Sequence, residues 1–392
     1  MLILVANLGS TSFKYRLFRM DGEGGSELAS GGAGRITDHA AAIEEALNEL
    51  CWSGAISAAE EIDAVAFKTV LGKGVSGCVM ADDSVIAALE DFAGVAPAHN
   101  PAYAEGIRLF ARRLPRTHRV ALFETAFYQW MPEAATCYAI PQSWRDAGIR
   151  RHGFHGASHK HVAEASAALL GREDVAAIAA DLYRNGPVEP EGPPLRVISC
   201  HLGGSSSVTA IRNGVAVATS MGFSPQSGLP QNNRVGDLDA AALPHAMRTL
   251  GLSLEEAERQ LASESGLLGL SGISNDIRDI VTAAGEGNGQ AALAMDAFVH
   301  SIRHWIGASL VALGGVDALV FTAGIGENQP AIRAAVCDGL EAFGLCLDAE
   351  KNAATRAVEA DLSAPESVAR ILLIPANEEA VLAREVFRKL SS

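Results

Sequence analysis

A chain of 392 residues with 48% hydrophobic and 20% charged residues is composed like an ordinary globular protein, long enough for two domains or one doubled unit. Its net charge of −15 argues against nucleic acid or an anionic membrane as partner, and no run of membrane length is free of charge. The apolar start, residues 1–6, lacks a basic flank and reads as a strand, and the six cysteines show no C-x-x-C spacing, which fits a reducing cytoplasm.

Residues 2–20 read as an apolar strand, a Leu8-Gly9-Ser10-Thr11-Ser12 turn and an alternating strand that closes at Asp21-Gly22. A helix is expected over 39–50 (Ile43, Ala46, Leu47, Leu50) and a short strand over 62–67. Asp82 and Asp83 start a helix that carries Val85, Ile86, Leu89 and Phe92 and stops at Gly94. Pro97-Ala98-His99-Asn100-Pro101 is too proline-rich for regular structure and opens a helix over 102–113. The strand 119–123 delivers Glu124 to its C-terminal edge, the side on which ligands of open α/β sheets gather.

After residues 148–155 a helix is expected from Ser158, and that junction is the expected domain boundary: 1–150 on one side, 151–378 on the other. The stretch 184–194 is an exposed loop with no evident chemistry. Residues 197–219 then repeat the opening of the chain: an apolar strand, the turn Leu202-Gly203-Gly204-Ser205-Ser206-Ser207, and two alternating strands around Asn213-Gly214, a strong hairpin signature. Glycines let the backbone approach a ligand, and successive N–H groups with hydroxyls cradle phosphate oxygens. Two copies imply two related halves, each presenting a phosphate loop. Residues 223–237 form a long loop that carries Arg234. The helix 291–313 has an apolar stripe (Phe298, Ile302, Trp305, Ile306, Leu310). At 317–328 a buried strand runs into Gly324-Ile325-Gly326, with a helix (Ile332, Val336, Leu340) beyond. That arrangement suits the rest of a nucleotide, although the third glycine of the dinucleotide fingerprint is missing.

These loops resemble those of the acetate kinase (acetokinase) family of the actin/sugar-kinase/Hsp70-like fold. The resemblance extends through Asn7-Leu-Gly-Ser-Thr-Ser-Phe-Lys14, Phe123-Glu-Thr-Ala-Phe127, Gly153-Phe-His-Gly-Ala-Ser-His-Lys160, His201-Leu-Gly-Gly-Ser205, Arg234-Val-Gly-Asp237, Ser274-Asn-Asp-Ile-Arg278, Gly324-Ile-Gly-Glu-Asn328 and Pro375-Ala-Asn-Glu378. It implies duplicated α/β, ribonuclease H-like domains with a nucleotide cleft between them, the last helix (379–392) returning to complete the first. It further implies a cytoplasmic homodimer that uses ATP and Mg²⁺ to phosphorylate a small carboxylic acid, yielding ADP and an acyl phosphate, reversibly.

Phosphoryl transfer is mostly positioning and charge neutralisation. Arg234, whose planar fork matches phosphoryl oxygens, and His155, flanked for close approach, are the candidates for supporting the transferring group, with Glu124 as third catalytic residue. By resemblance Asn7 and Glu378 hold Mg²⁺, a hard cation that takes oxygen ligands. The nucleotide falls to Ser10, Ser12 and Lys14; to His201, Leu202, Gly203, Gly204 and Ser205; and to Asp276, Ile277, Arg278, Gly324, Ile325, Gly326, Glu327 and Asn328. Lys14 equally fits an outward residue of an alternating strand. His155, His159 and His161 mimic a zinc cluster but lack a further well-placed ligand. The acid falls to Lys68, Val70, Ala98, Phe154 and Pro225.

Several positions depart from the family. Glu124 replaces an aspartate, Lys68 an arginine, Phe67 and Leu71 two histidines, Gly204 an asparagine and Ala98 a leucine, while Gln226-Ser227 replaces Leu-Glu. The smaller residue at 98 implies an acid larger than acetate or one with a polar group. Two alternatives remain: a nucleotide-binding protein of this fold without turnover, and a sugar kinase, which would need a polar sugar pocket.

Overall fold

Every residue except Glu23, Ala98 and Ser392 is described by the computed structural model, so the expectation for Ala98 lies outside the described residues. Two six-stranded mixed sheets carry the fold. The first contains β1 (Leu2–Gly9), β2 (Ser12–Met20), β3 (Gly25–Gly34), β4 (Ala64–Thr69), β5 (Cys78–Met80) and β6 (His118–Phe123), in the order β3-β2-β1-β4-β6-β5. The second contains β7 (Arg196–Leu202), β8 (Ser206–Arg212), β9 (Val215–Thr219), β10 (Ala318–Thr322), β11 (Ala360–Asp361) and β12 (Arg370–Leu373), in the order β11-β12-β10-β7-β8-β9. Adding six to each strand of the first sheet reproduces the second. Pairing directions match too: the hairpin strands are antiparallel, while β1, β4 and β6 run parallel, as do β7, β10 and β12. The duplication read from two Gly/Ser turns is thus a duplication of whole sheets.

β1 is apolar because both faces are covered, as a strand in the parallel part of a sheet requires. The β8–β9 turn puts Asn213 and Gly214 at φ 53° and 80°, the left-handed pair of a tight hairpin. β3 was not legible: Gly-Ser-Glu-Leu-Ala-Ser-Gly-Gly-Ala-Gly has neither alternation nor strand propensity. It is held by pairing with β2, and a Cβ on Gly31 would lie 2.6 Å from the Tyr15 hydroxyl, so glycine there lets Tyr15 cross it to reach Glu49.

Helices His39–Trp52 and Asn100–Arg113 pack on the first sheet, and Asp82 caps Asp83–Asp91 by accepting from the N–H groups of Ser84 and Val85. The helix Glu378–Leu390 also lies on this sheet, burying Val381, Leu382, Ala383 and Val386. The second sheet is covered by Gly156–Leu169 and Glu173–Asn185 on one face and by Gly289–Leu313, with Phe298, Ile302 and Ile306 fully buried, on the other. Among the described residues no helix is long and apolar enough to cross a membrane.

Two expected boundaries need correction. The helix after residue 97 begins at Asn100 because Pro101 fits a helix's first turn and the buried Asn100 amide donates to the carbonyls of Leu71, Leu89 and Phe92. The segment after β10 is not a glycine turn. Ala323 makes the bend at φ 66°, Gly324–Asn328 is already helical, and Leu340 falls in a separate 3₁₀ turn beyond Pro330–Cys337.

Candidate active site

The C-terminal halves of β1, β4 and β7 carry Asn7, Lys68 and His201, and Glu124 directly follows β6. Lys68 is the hub: its Nζ donates to Glu378 Oε2 at 2.6 Å and lies 3.1 Å from Glu124 Oε1. Glu378 stands in the first turn of the last helix, where the helix dipole favours a carboxylate, so the end of the chain completes a site begun near its start. Burial raises the Glu124 carboxyl above its usual range against the pull of Lys68. Burial acts the same way on Glu378, but Lys68 and His201 outweigh it and hold that carboxyl low. Burial would lower the Lys68 ammonium, yet the two glutamates raise it well above its ordinary value. Glu124 Oε2 and Glu378 Oε1 are buried with no hydrogen-bond partner among the described residues. Two carboxylates against one ammonium leave one negative charge and two idle oxygens, a donor set that fits a hard divalent cation.

His155 caps the helix Gly156–Leu169 in the left-handed region, at φ 61° and ψ 31°. Gly156 explains how it is held: its N–H donates to the Glu124 carbonyl at 2.9 Å, and a Cβ there would stand 2.4 Å from that oxygen. The His155 ring stacks on His201 with centroids 4.0 Å apart and planes 16° apart. Burial, with help from the neighbouring imidazoles and cations, keeps His155 well below the ordinary histidine value, and burial brings His201 down to about 4. Both rings are therefore neutral at pH 7. Of the zinc-like trio, His159 joins this cluster while His161 lies among Arg384, Glu164 and Lys160. Among the described residues no three His, Cys, Asp or Glu side chains converge as a metal site does.

Arg234 is presented by the loop between β9 and the next helix. Asp237 latches that loop by accepting from the Gly228 N–H at 2.8 Å, and Gly236, at φ 81°, would drive a Cβ to within 2.7 Å of the Pro230 nitrogen. The guanidinium donates to Gln231 Oε1 at 3.2 Å and to Ser205 Oγ at 3.4 Å, both neutral. No described carboxylate pairs with it, and burial lowers its pKa.

A cavity of about 410 Å³ gathers Gly203, Gly204, Asp276, Ile277, Arg278, Gly324, Ile325 and Asn328, all expected from sequence, with Asn232 and Gln329, which were not. Asn232 is signalled by Gly204: its Nδ2 lies 3.3 Å from where a Cβ on that glycine would sit. The remaining nucleotide candidates separate from this cavity. Leu202 is core, Gly326 packs behind it, and Glu327 accepts from the Ala376 N–H. Ser10 and Ser12 stay at the β1–β2 turn. Lys14 is exposed on β2 directly across from Asn7, and both line a second cavity of about 340 Å³. Asn7 Oδ1 accepts from the buried Tyr103 hydroxyl at 3.1 Å, another residue that sequence reasoning missed.

Val70 and Phe154 meet in an apolar cluster with Leu71, Phe92, Met221 and Val95. Pro225 lies outside this cluster, its carbonyl accepting from Gln231 Nε2 at 2.6 Å. The two family histidines replaced by Phe67 and Leu71 have become core: both side chains are buried, one under Phe110, the other in the apolar cluster. A roomier cavity of about 530 Å³ beside Gly72, Tyr128 and Arg150 holds none of the described candidate residues.

A profile of the Acetokinase family matches residues 2–384. The chain is 40% identical to the acetate kinase of Geobacillus kaustophilus, with 98% of each chain covered. Among solved structures it is similar to the acetate kinase of Porphyromonas gingivalis, with a TM-score of 0.89 and 35% identity over 99% of both chains. It is similar also to a propionate kinase from Francisella tularensis, with a TM-score of 0.83 and 30% identity over 98% of both.

Proposed function

The chain belongs to the acetokinase family and is an ATP-dependent kinase with a carboxylate acceptor, and from that premise we propose that it transfers the γ-phosphoryl group directly and reversibly between ATP and a short-chain acid. The observation that carries the proposal is Arg234: a partly buried guanidinium that, among the described residues, bonds only to neutral groups, beside a Gly/Ser loop. Such a cation calls for an anion from outside the protein, and a planar fork suits a phosphoryl group.

The nucleotide takes the cavity of Gly203, Gly204, Asp276 and Asn328 on the second lobe, residues 151–378, with its phosphates directed to the cleft toward the first lobe, residues 1–150 and the last helix. Arg234 and neutral His155 meet charge as it builds on the transferring oxygens. Lys68 offers its ammonium to the acid's carboxylate, in competition with Glu124 and Glu378. Mg²⁺, held by Glu378 and Asn7 with the idle Glu124 oxygen nearby, would neutralise phosphate charge. The apolar cluster of Val70, Phe154, Phe92 and Met221 receives the acid's tail. We propose an acid larger than acetate or one bearing a polar group, on the replacement of the family's leucine by Ala98 and of its Leu-Glu by Gln226-Ser227. Cytoplasmic location and a homodimer belong to the same proposal.

Trapping acyl phosphate as hydroxamate with ATP, Mg²⁺ and a panel of acetate, propionate, butyrate and their hydroxy derivatives tests this. Propionate or a longer acid should give the highest kcat/KM, each buried methylene adding about fourfold. Acetate as the best substrate removes the larger-acid reading, and nucleotide binding without product removes turnover. Arg234→Ala should lower kcat by about 10² or more with nucleotide affinity nearly unchanged.

A further inference from the structure

A hydroxyl has one proton to give, and a buried one needs an acceptor. Ser199, fully buried on β7, has one hydrogen-bonding partner among the described residues: His159 Nδ1, at 2.8 Å. Its proton therefore goes to Nδ1, which places the His159 proton on Nε2. That nitrogen lies 2.8 Å from Ser207 Oγ on β8, so Ser207 accepts there and gives its own proton onward. The remaining partner is His155 Nδ1, again at 2.8 Å. His155 is left with its proton on Nε2. Run the other way, the chain would strand the Ser199 proton in the core. The same count applies to His201, whose Nδ1 lies 2.8 Å from the Oγ of Ser158, a buried serine with no other described partner.

We propose that Ser199–His159–Ser207 acting on His155, and Ser158 acting on His201, are one-way hydrogen-bond chains that fix the stacked imidazoles as Nε2–H tautomers, two neighbouring N–H donors for phosphoryl oxygens. This rests on the proposed role of His155 and assigns positioning roles to four further residues. The Nε2 atoms of both rings make no hydrogen bond to a described residue, while both Nδ1 atoms are committed. Rings stacked 4.0 Å apart cannot both be cations, and burial holds both neutral. Backbone geometry agrees: His155 sits at φ 61°, a strained setting that the surrounding structure must over-determine. A neutral N–H donor strengthens its bond as negative charge develops and needs no proton transfer to do so.

Nitrogen NMR of the full-length protein carrying ¹⁵N-histidine tests the chain, with His155 assigned by its loss in His155→Asn. Wild type should show an unprotonated Nδ1 and a protonated Nε2 on His155. Ser199→Ala and Ser207→Ala should mix the tautomers and lower kcat about tenfold or more, with the KM for ATP unchanged. His159→Gln, which keeps an N–H directed at Ser207, should retain the wild-type tautomer and most of the rate, whereas His159→Leu should not. A protonated Nδ1 on His155 in wild type overturns the inference. So does a Ser207→Ala protein with tautomer and kcat both unchanged. His155→Asn with wild-type kcat would instead remove the proposed role of His155, an outcome separable from the tautomer result.

Discussion

Lys68 and Glu124 form an ion pair, Nζ to Oε1 3.1 Å, between the ends of the neighbouring parallel strands β4 and β6. Read singly, each looks like damage: a lysine where the family has arginine, and a glutamate where it has aspartate. Together they are complementary, because the cation is shorter and the carboxylate longer by about one bond. The pair keeps its contact while the charged centre shifts toward β4. Lys68→Arg and Glu124→Asp should therefore each lower kcat/KM about tenfold or more, and the double variant should recover most of the loss. The expected coupling is about 1–3 kcal/mol by a double-mutant cycle, and additive losses would show that the two changes are unrelated.

Buried histidines make the fold sensitive to acid. Burial brings His152 and His201 down to about 4 and holds His155 and His159 well below the usual value. An unfolded histidine titrates near pH 6.5, so between about pH 6.5 and 4 the unfolded chain binds protons that the folded one refuses. Stability is thus full above that window and falls as pH drops through it. Glu124, held above the usual carboxyl range by burial, acts in the opposite sense. His152 lies between Phe92 and Phe223, its Nε2 without a partner among the described residues. His152→Phe should reduce the loss by up to about 3 kcal/mol, read from urea unfolding at pH 7 and pH 4.5. An unchanged loss would place the acid sensitivity elsewhere.

What was legible in the sequence was local. Strand, Gly/Ser turn and Asn213-Gly214 hairpin follow from backbone conformations that few residues tolerate, and the apolar stripe of Gly289–Leu313 follows from helical period. The family resemblance supplied the candidate site, but its roles remained attached to single positions. What was not legible depends on contacts between distant segments. Nothing near Lys68 in sequence announces Glu378, 310 residues away, as its partner. His159 read as one of three histidines in a metal mimic, because its serines come from β7 and β8. β3 was invisible because its pairing with β2, not its composition, makes it a strand.

The last helix is joined to the Gly156–Leu169 helix by buried charges. Lys160, with no exposed surface, donates to Glu385 Oε1 at 2.8 Å, and Arg388 donates to the same oxygen at 2.6 Å. Glu164 faces both cations. Glu385→Ala would take a shared carboxylate away from two buried cations and should destabilise the fold by about 3–5 kcal/mol in urea unfolding. Pairing Glu385→Leu with Lys160→Met, which removes both charges and keeps volume, should recover part of that loss. A Glu385→Ala protein as stable as wild type would mean that solvent reaches the cluster.

Gly204 stands where the family has asparagine in the second Gly/Ser loop, which on its own subtracts an amide from the nucleotide cavity. Asn232 comes from the facing loop: its N–H donates to the Gly204 carbonyl at 3.2 Å, and its Nδ2 lies 3.3 Å from where a Cβ on Gly204 would begin. An asparagine at 204 and an asparagine at 232 therefore compete for one space. The Asn232 Oδ1 is buried without a hydrogen-bond partner among the described residues, and the residue lines the cavity with Gly203, Asp276 and Asn328. In the proposed nucleotide site Asn232 would thus supply, from beside Gly204, the amide that Gly204 lacks. Asn232→Ala should raise the KM for ATP about tenfold, the loss of about one hydrogen bond to a charged ligand, with kcat changed less. Gly204→Asn alone should be no better, since the new side chain meets Asn232. Combined with Asn232→Gly, it should bring the KM back toward the starting value. Single and double variants that leave the KM for ATP untouched would mean that neither amide reaches the nucleotide.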